Sequence, residues 1–234
     1  MTITTLASSS KGNCYRVEAS GHVLLLEAGI PIWKIQRGLG FRASELDGVL
    51  ISHGHRDHAC GVPGALFSGL DVYMTGGTAG ELGLKENHRL HIIKPYEAFR
   101  IGPWHILPFA AMHDSADPVG YLIGNGKEKL LFLTDSHYCA DRFTGLTDIM
   151  LEINFAEDIL TEQEEAGLIH PNMAHRVRTS HMSLERAKEL LGANDLSKVV
   201  QITLIHLSAS NSDAMRFQRE VQELTGIPTE IAQE

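Results

Sequence analysis

Cysteine is scarce in this chain of 234 residues: Cys14, Cys60 and Cys139 make an odd count without metal-type pairing. A disulfide framework is therefore not expected. Long hydrophobic runs are missing as well, and none approaches the roughly 18 apolar residues of a membrane span. Met1-Thr2-Ile3-Thr4-Thr5 lacks the basic and then apolar opening of a secretory signal. No repeat, low-complexity tract or linker interrupts the chain. These absences lead to the expectation of a cytoplasmic protein with no membrane partner. Positive charge is also in short supply: 20 Lys and Arg face 29 Asp and Glu, for a net charge of −9. Such a chain is not a general electrostatic binder of nucleic acid, and a polynucleotide substrate would need a local basic groove.

What remains is ordinary globular composition, 43% hydrophobic and 21% charged. The length suits one large domain with a sizeable core, residues 1–234, and is too short for two of this kind. The distinctive stretch is His53-Gly54-His55-Arg56-Asp57-His58, directly after the apolar run Gly48-Val49-Leu50-Ile51-Ser52. Imidazoles and a carboxylate suit zinc and similar divalent ions. His53 and His55, two apart on an extended segment, project to one side and can grip one ion. Asp57 and His58, past the turn, can face a second.

This pattern resembles the signature of the metallo-β-lactamase superfamily, and the further ligands that family needs occur in order. His113 follows the strand-like Trp104–Phe109. Asp135 ends the apolar run Leu130–Thr134, and His206 ends Val199–Ile205. Each lies at the C-terminal end of an apolar run, where the loops of a sheet scaffold carry function. The resemblance implies that His53, His55 and His113 hold a first ion and Asp57, His58 and His206 a second, with Asp135 bridging. It implies two divalent ions per chain, Zn²⁺ first and Mn²⁺ as the alternative. Such a pair lowers the pKa of bound water toward about 7, and Asp57 is the expected acceptor of the water's proton.

Two more residues stand out. Glu152 is a carboxylate inside the apolar Leu151-Glu152-Ile153-Asn154-Phe155, and a buried carboxylate needs a partner. His181, in Arg178-Thr179-Ser180-His181-Met182-Ser183, is surplus to both ligand sets. A Glu-oriented histidine near the ions would be a general acid for a leaving group. Ser208, Ser210 and Asn211, beside the last ligand, are placed to hold phosphate oxygens; Arg176 and Arg178 are candidate phosphate contacts, with solvated surface arginines the preferred reading. His137 is a candidate neighbour of the site. Tyr138 and the remaining histidines are read as packing or surface residues.

The secondary-structure pattern predicts strands at Thr2–Ala7, Cys14–Ala19 and His22–Glu27, the first two joined by Ser8-Ser9-Ser10-Lys11-Gly12-Asn13. That hexapeptide is either a hairpin connection or a loop offering N–H groups to phosphate, and the hairpin is preferred. Helices are predicted at Ile30–Gly38, Ala59–Phe67, Gly76–Leu82, Ala156–Glu165, Leu184–Leu191 (capped by Ser183) and Asp213–Leu224 (capped by Ser212). Further strands are predicted at Gly48–Ile51, His91–Ile93, Ala98–Ile101, Trp104–Phe109, Val119–Ile123, Lys129–Thr134, Ile149–Ile153 and Thr229–Ala232. Two face-to-face sheets covered by helices follow from this pattern.

The combined motifs resemble the phosphodiesterase branch of the superfamily, which includes ribonuclease Z and the YycJ/WalJ proteins. Besides the ligands, the resemblance rests on Ser8–Asn13, Pro118-x-Gly120-Tyr121, Glu152-x-Asn154, His181-Met182-Ser183 and His206-Leu207-Ser208-x-x-Asn211. It implies an α/β fold, the four-layer αβ/βα sandwich of two mixed sheets flanked by helices, and the exonuclease activity on DNA associated with that branch. The interval from Asp135 to His181 is too short for the extra domain of β-CASP nucleases, and no Gly-rich or basic arm for holding tRNA is present. The expected partner is a nucleic-acid end or a nucleotide phosphodiester, with a homodimer allowed. Three alternatives stay open: a cyclic nucleotide phosphodiesterase, a β-lactam or thioester hydrolase of glyoxalase II type, and a non-catalytic metal-binding module.

Overall fold

The structure, a computed structural model, describes residues 1–232. Among them, thirteen strands make two mixed β-sheets, of six and seven strands, flanked by eight α-helices. No helix there is long and apolar enough to cross a membrane. The chain groups into two compact units.

The first unit comprises Met1–Ala110 and Ser115–Glu128. Its six-stranded sheet runs β1 (Thr2–Ser9), β2 (Gly12–Ala19), β3 (His22–Leu26), β4 (Leu46–Leu50), β5 (Val72–Thr75) and β6 (Leu90–Ile93), in that spatial order. The first three strands are antiparallel, and β3 to β6 are parallel. Parallel neighbours require crossovers, supplied here by α1 (Ile32–Gly38), α2 (Arg56–Ala59) with α3 (Val62–Phe67), and α4 (Gly76–Glu81). Covered on both faces, β3 reads as the nearly continuous apolar run His22-Val23-Leu24-Leu25-Leu26. Strands β7 (Phe99–Ile101), β8 (Trp104–Ala110) and β9 (Val119–Gly124) form an antiparallel meander in the same unit.

The second unit comprises Ala111–Asp114 and Lys129–Ala232. Its strands β10 (Lys129–Leu133), β11 (Asp148–Glu152), β12 (Gln201–Ile205) and β13 (Thr229–Ile231) are all parallel and pair in sequence order. Helices α5 (Glu157–Glu165), α6 (Pro171–Ser180), α7 (Leu184–Gly192) and α8 (Ala214–Thr225) accompany them. Because the strands run one way, the residues that follow β10, β11 and β12 gather at one edge, and Glu152 pairs in register with Ile205. Asp135, Glu152 and His206 all belong to that edge, where open α/β sheets bind their ligands.

Several local expectations change. The Ser8–Asn13 segment is the preferred hairpin connection, but β1 and β2 run longer than expected, to a two-residue turn at Ser10–Lys11. The single helix expected at Ala59–Phe67 is two short ones. Gly61 N donates to Ala28 O, and a Cβ at Gly61 would lie 2.5 Å from Ile30 O, so the chain breaks there for a close backbone approach. Helix α6 was not expected at all. It opens at Pro171, with His170 capping Asn172 N, and buries only Ala174, Val177 and Ser180. Ser183 caps α7 as expected, but α8 is capped by Asp213 and not by Ser212. Tyr138, read as a packing residue, is 40% exposed and so only partly covered.

Candidate functional site

In the first unit, the chain leaves β4 in an extended conformation and turns into α2, which carries Asp57 and His58. The rings of His53 and His55 lie 4.8 Å apart, those of His53 and His58 4.2 Å apart, and Asp57 Oδ2 is 3.4 Å from His58 Nε2. The structure therefore brings these four residues together. Their positions are fixed from behind. Ser52 Oγ lies 2.8 Å from His53 Nδ1, and Ser52 N donates to Glu27 Oε1 at 3.1 Å. Glu27, fully buried, places its other oxygen 3.5 Å from His58 Nδ1. Burial pushes the Glu27 carboxyl up, against the opposing pull of His58 and Ser52. Asn13 donates to Asp57 O at 3.2 Å and lies 3.1 Å from His58 Nε2, while Tyr15 donates to Asn13 Oδ1 at 3.0 Å. Gly29 closes this arrangement. A Cβ there would fall 1.7 Å from Asp57 O, so only glycine allows the contact.

In the second unit, one ligand-forming atom each from Asp135, Glu152, His181 and His206 lies within 4.8 Å of the others. His113 joins them, its Nε2 lying 3.4 Å from Asp135 Oδ2. His113 Nδ1 donates to Ser180 O at 2.7 Å, and a carbonyl can only accept. Nε2 is then the lone-pair nitrogen, and burial holds the imidazole below its ordinary pKa despite Asp135. A neutral imidazole lone pair facing a carboxylate oxygen is two electron-pair donors side by side, the donor set that a divalent cation fits.

Glu152 is the hub of this unit. It is fully buried, and its Oε1 receives His181 Nδ1 at 2.6 Å and His206 Nδ1 at 3.1 Å. Its Oε2 receives the backbone N–H groups of Ser136 and Met182, at 3.1 and 3.3 Å. Four donors occupy the carboxylate, which makes it an organiser of histidines and not a metal ligand. Burial works against its ionisation, but His181 and His206 together hold Glu152 below the usual carboxylate range. The same contact raises the His181 pKa against the opposite pull of burial. With Nδ1 of His206 turned to Glu152, Nε2 is the nitrogen that can take an ion. The His181 ring, at 20% exposure, is open to solvent where Glu152 is not.

The backbone at these positions is strained. Glu27, Asp135 and His206 all have positive φ, at 64°, 41° and 53°. Non-glycine residues adopt that region rarely, each at a cost of about 1–3 kcal/mol, and such strain clusters at functional sites.

A family model described as the β-lactamase superfamily domain matches residues 31–206. The chain belongs to the metallo-β-lactamase superfamily. As a member of that family it is a metal-dependent hydrolase. Exodeoxyribonuclease WalJ of Streptococcus pneumoniae is 28% identical over 222 residues, covering 88% of this chain and 81% of the relative. Exodeoxyribonuclease YycJ of Bacillus anthracis is 27% identical over 222 residues, covering 89% and 83%. A ribonuclease Z of Bradyrhizobium is 32% identical over 127 residues, 45% of this chain and 41% of that protein. The metallo-β-lactamase fold protein YhfI of Bacillus subtilis superposes with a TM-score of 0.75 at 17% identity, covering 99% of this chain and 95% of that one. A diphosphatase of the PhnP family gives 0.67 at 15% identity, with 99% and 94% covered.

Of the residues expected to bind substrate in this metallo-β-lactamase chain, Arg178 needs correction. Its guanidinium bonds Glu157 and Glu164 at 3.0 and 2.9 Å and also reaches Thr161, so it ties α6 to α5. Arg176 pairs with Asp114 at 2.8 Å. Ser208 Oγ accepts the N–H groups of Ser210 and Asn211, and Asn211 is buried, so these residues shape the loop after β12. His137 bonds Met112 O. Glu27, Asn13 and Ser52 were missed. Glu27 carried the same signal as Glu152, a carboxylate closing an apolar strand.

Proposed function

We propose that this chain is a phosphodiester hydrolase with two divalent ions, acting on nucleic-acid ends, DNA foremost. It is read as one hydrolase domain whose ligands serve one pair of ions. His53, His55 and His113 would hold the first, Asp57, His58 and His206 the second, and Asp135 both. The imidazole-rich donor set favours Zn²⁺, with Mn²⁺ as the alternative. A bound pair would supply a polarised water whose pKa is lowered toward about 7.

The observation that carries the phosphodiester reading is the 2.6 Å contact between Glu152 Oε1 and His181 Nδ1. Glu152 stabilises the imidazolium and fixes its Nδ1 proton, so the proton His181 can give away is on Nε2. Asp57 accepts the proton of the attacking water, and His181 donates its own to the departing oxygen. A nucleoside alkoxide is a poor leaving group without that proton. Thioester hydrolysis needs no such donor, because a thiolate departs readily without a proton. Relatives named exodeoxyribonuclease and ribonuclease Z support the same substrate class.

The test is a panel on purified, metal-loaded protein: 5′-labelled DNA, RNA, cyclic mononucleotides, nitrocefin and a glutathione thioester. Release of nucleotides from DNA or RNA ends is expected to lead the panel. Preferred turnover of a cyclic nucleotide would move the substrate within the phosphodiester class. Faster turnover of the lactam or the thioester would overturn the reading.

A further inference from the structure

Between Glu27 and Glu45 the sequence carries Lys34, Arg37 and Arg42 and no acidic residue, in a protein of net charge −9. This local basic stretch includes helix α1, whose Ile35 is fully buried and whose Trp33 is 55% exposed. Lys34 Nζ lies 5.9 Å and the Arg37 guanidinium carbon 5.6 Å from the centre of the Trp33 ring. The exposed indole is thus flanked by two cations. Past the helix, Gly40 and Phe41 both have left-handed backbones, with φ of 61° and 59°. For a phenylalanine that is an outlier, and the ring is 77% exposed, so packing does not explain it. Strain of this kind is found where a segment does something besides fold. Arg42 reaches Glu45 at 3.4 Å, but both are well exposed and such a pair is weak.

Helix α1 is also tied to the ligand turn within the first unit. Ala28 N donates to His58 O at 2.8 Å, and Gly61 N donates to Ala28 O at 2.7 Å. Gly64 on α3 lets Ile32 of α1 pack against it, since a Cβ there would come 2.7 Å from Ile32 Cβ. The exposed aromatics therefore stand on a segment clamped to the proposed metal ligands.

We propose that α1 and residues 40–42 form a stacking platform for unpaired bases of a nucleic-acid strand. Trp33 and Phe41 would take bases, and Lys34, Arg37 and Arg42 the phosphates between them. Exposed aromatics interleaved with cations are the chemistry of sequence-tolerant single-strand binding. The helix is about 10 Å long, short enough for one strand to meet both ends. Cations around the indole favour a polyanion over an apolar protein face. The platform deepens the nucleic-acid reading above and rests on it.

The chain has two tryptophans, and the other, Trp104, is fully buried. A base stacking on Trp33 therefore has its own optical signal. The experiment titrates metal-loaded protein with a hydrolysis-resistant phosphorothioate oligothymidylate and follows tryptophan emission, with end-labelled DNA hydrolysis measured alongside. Quenching is expected on binding. Trp33→Ala should raise Kd and KM for the oligonucleotide by roughly 5- to 150-fold, the range for loss of one stacked base. Trp33→Phe should restore affinity while removing the quench. The double variant Lys34→Ala/Arg37→Ala should flatten the salt dependence of log K by about 1.4, from about 0.7 per phosphate contact on a single strand. Binding with quench but no hydrolysis would sustain the platform and remove the proposed activity. Normal hydrolysis with no quench in the wild-type protein and KM unchanged in Trp33→Ala would remove the platform and leave the activity. A dimer in sedimentation that Trp33→Ala dissociates, with oligonucleotide binding unchanged, would make the face a contact between copies and overturn the proposal.

Discussion

Replacing His181 by alanine removes the proposed proton donor and leaves every proposed metal ligand in place. General-acid catalysis is typically worth about 10²–10⁴-fold, or about 2.7–5.4 kcal/mol of barrier at 1.36 kcal/mol per decade. The structure argues for a full effect. The donor is held by a charge-assisted hydrogen bond of 2.6 Å to a carboxylate that is 0% exposed, so little reorganisation precedes the transfer. His181→Ala should therefore lower kcat by 10²–10⁴-fold on end-labelled DNA, measured under single-turnover conditions. On bis-p-nitrophenyl phosphate the loss should be much smaller, because p-nitrophenolate leaves unprotonated. Metal content should be unchanged. Equal losses on both substrates would mean that His181 positions substrate or supports the fold, and loss of metal would make it a ligand. Either outcome refutes the proton-donor role.

Glu152→Gln should give a weaker form of the same pattern with an added metal defect, because Glu152 also holds His206 at 3.1 Å. Its pH profile should shift too. Glu152 raises the His181 pKa, and activity needs protonated His181, so without it the alkaline fall of kcat should move to lower pH. An unmoved limb would assign that limb to another group. Asp135→Ala should strip both ions, read as metal per chain after dialysis, and retention of one ion would remove the bridge. Glu27→Gln should weaken metal affinity by about 10–100-fold, the usual cost of losing a carboxylate behind a ligating histidine, while wild-type affinity would make Glu27 purely structural. Gly29→Ala forces a Cβ to within 1.7 Å of Asp57 O. It should cost several kcal/mol and lower Tm by about 2–4 °C per kcal/mol, and an unchanged melt would show that the ligand turn yields.

The proposed ligands stand out in the sequence because their chemistry is in the residue type. A carboxylate and three imidazoles in six positions, then His113, Asp135 and His206 after apolar runs, have few other uses. The parallel strands were legible for a related reason: burial on both faces writes Lys129-Leu130-Leu131-Phe132-Leu133 and Gln201-Ile202-Thr203-Leu204-Ile205 as apolar runs. Helix α6 was not legible, since it buries three of its ten residues and its polar faces hide the period. Arg178 was misread because its partners, Glu157 and Glu164, lie a helix away in sequence and only folding brings them in. The split between α2 and α3 was hidden for the same reason. It answers to the approach of Gly61 to Ala28 and Ile30, which no local propensity records.

The proposed activity requires a bound pair of divalent ions. Its most direct test is a titration of metal-free protein with Zn²⁺, and separately with Mn²⁺, measuring ions bound per chain and hydrolysis of end-labelled DNA on the same samples. Activity is expected to stay low through the first equivalent and to rise with the second. Full activity with one ion per chain, or with none, would contradict it.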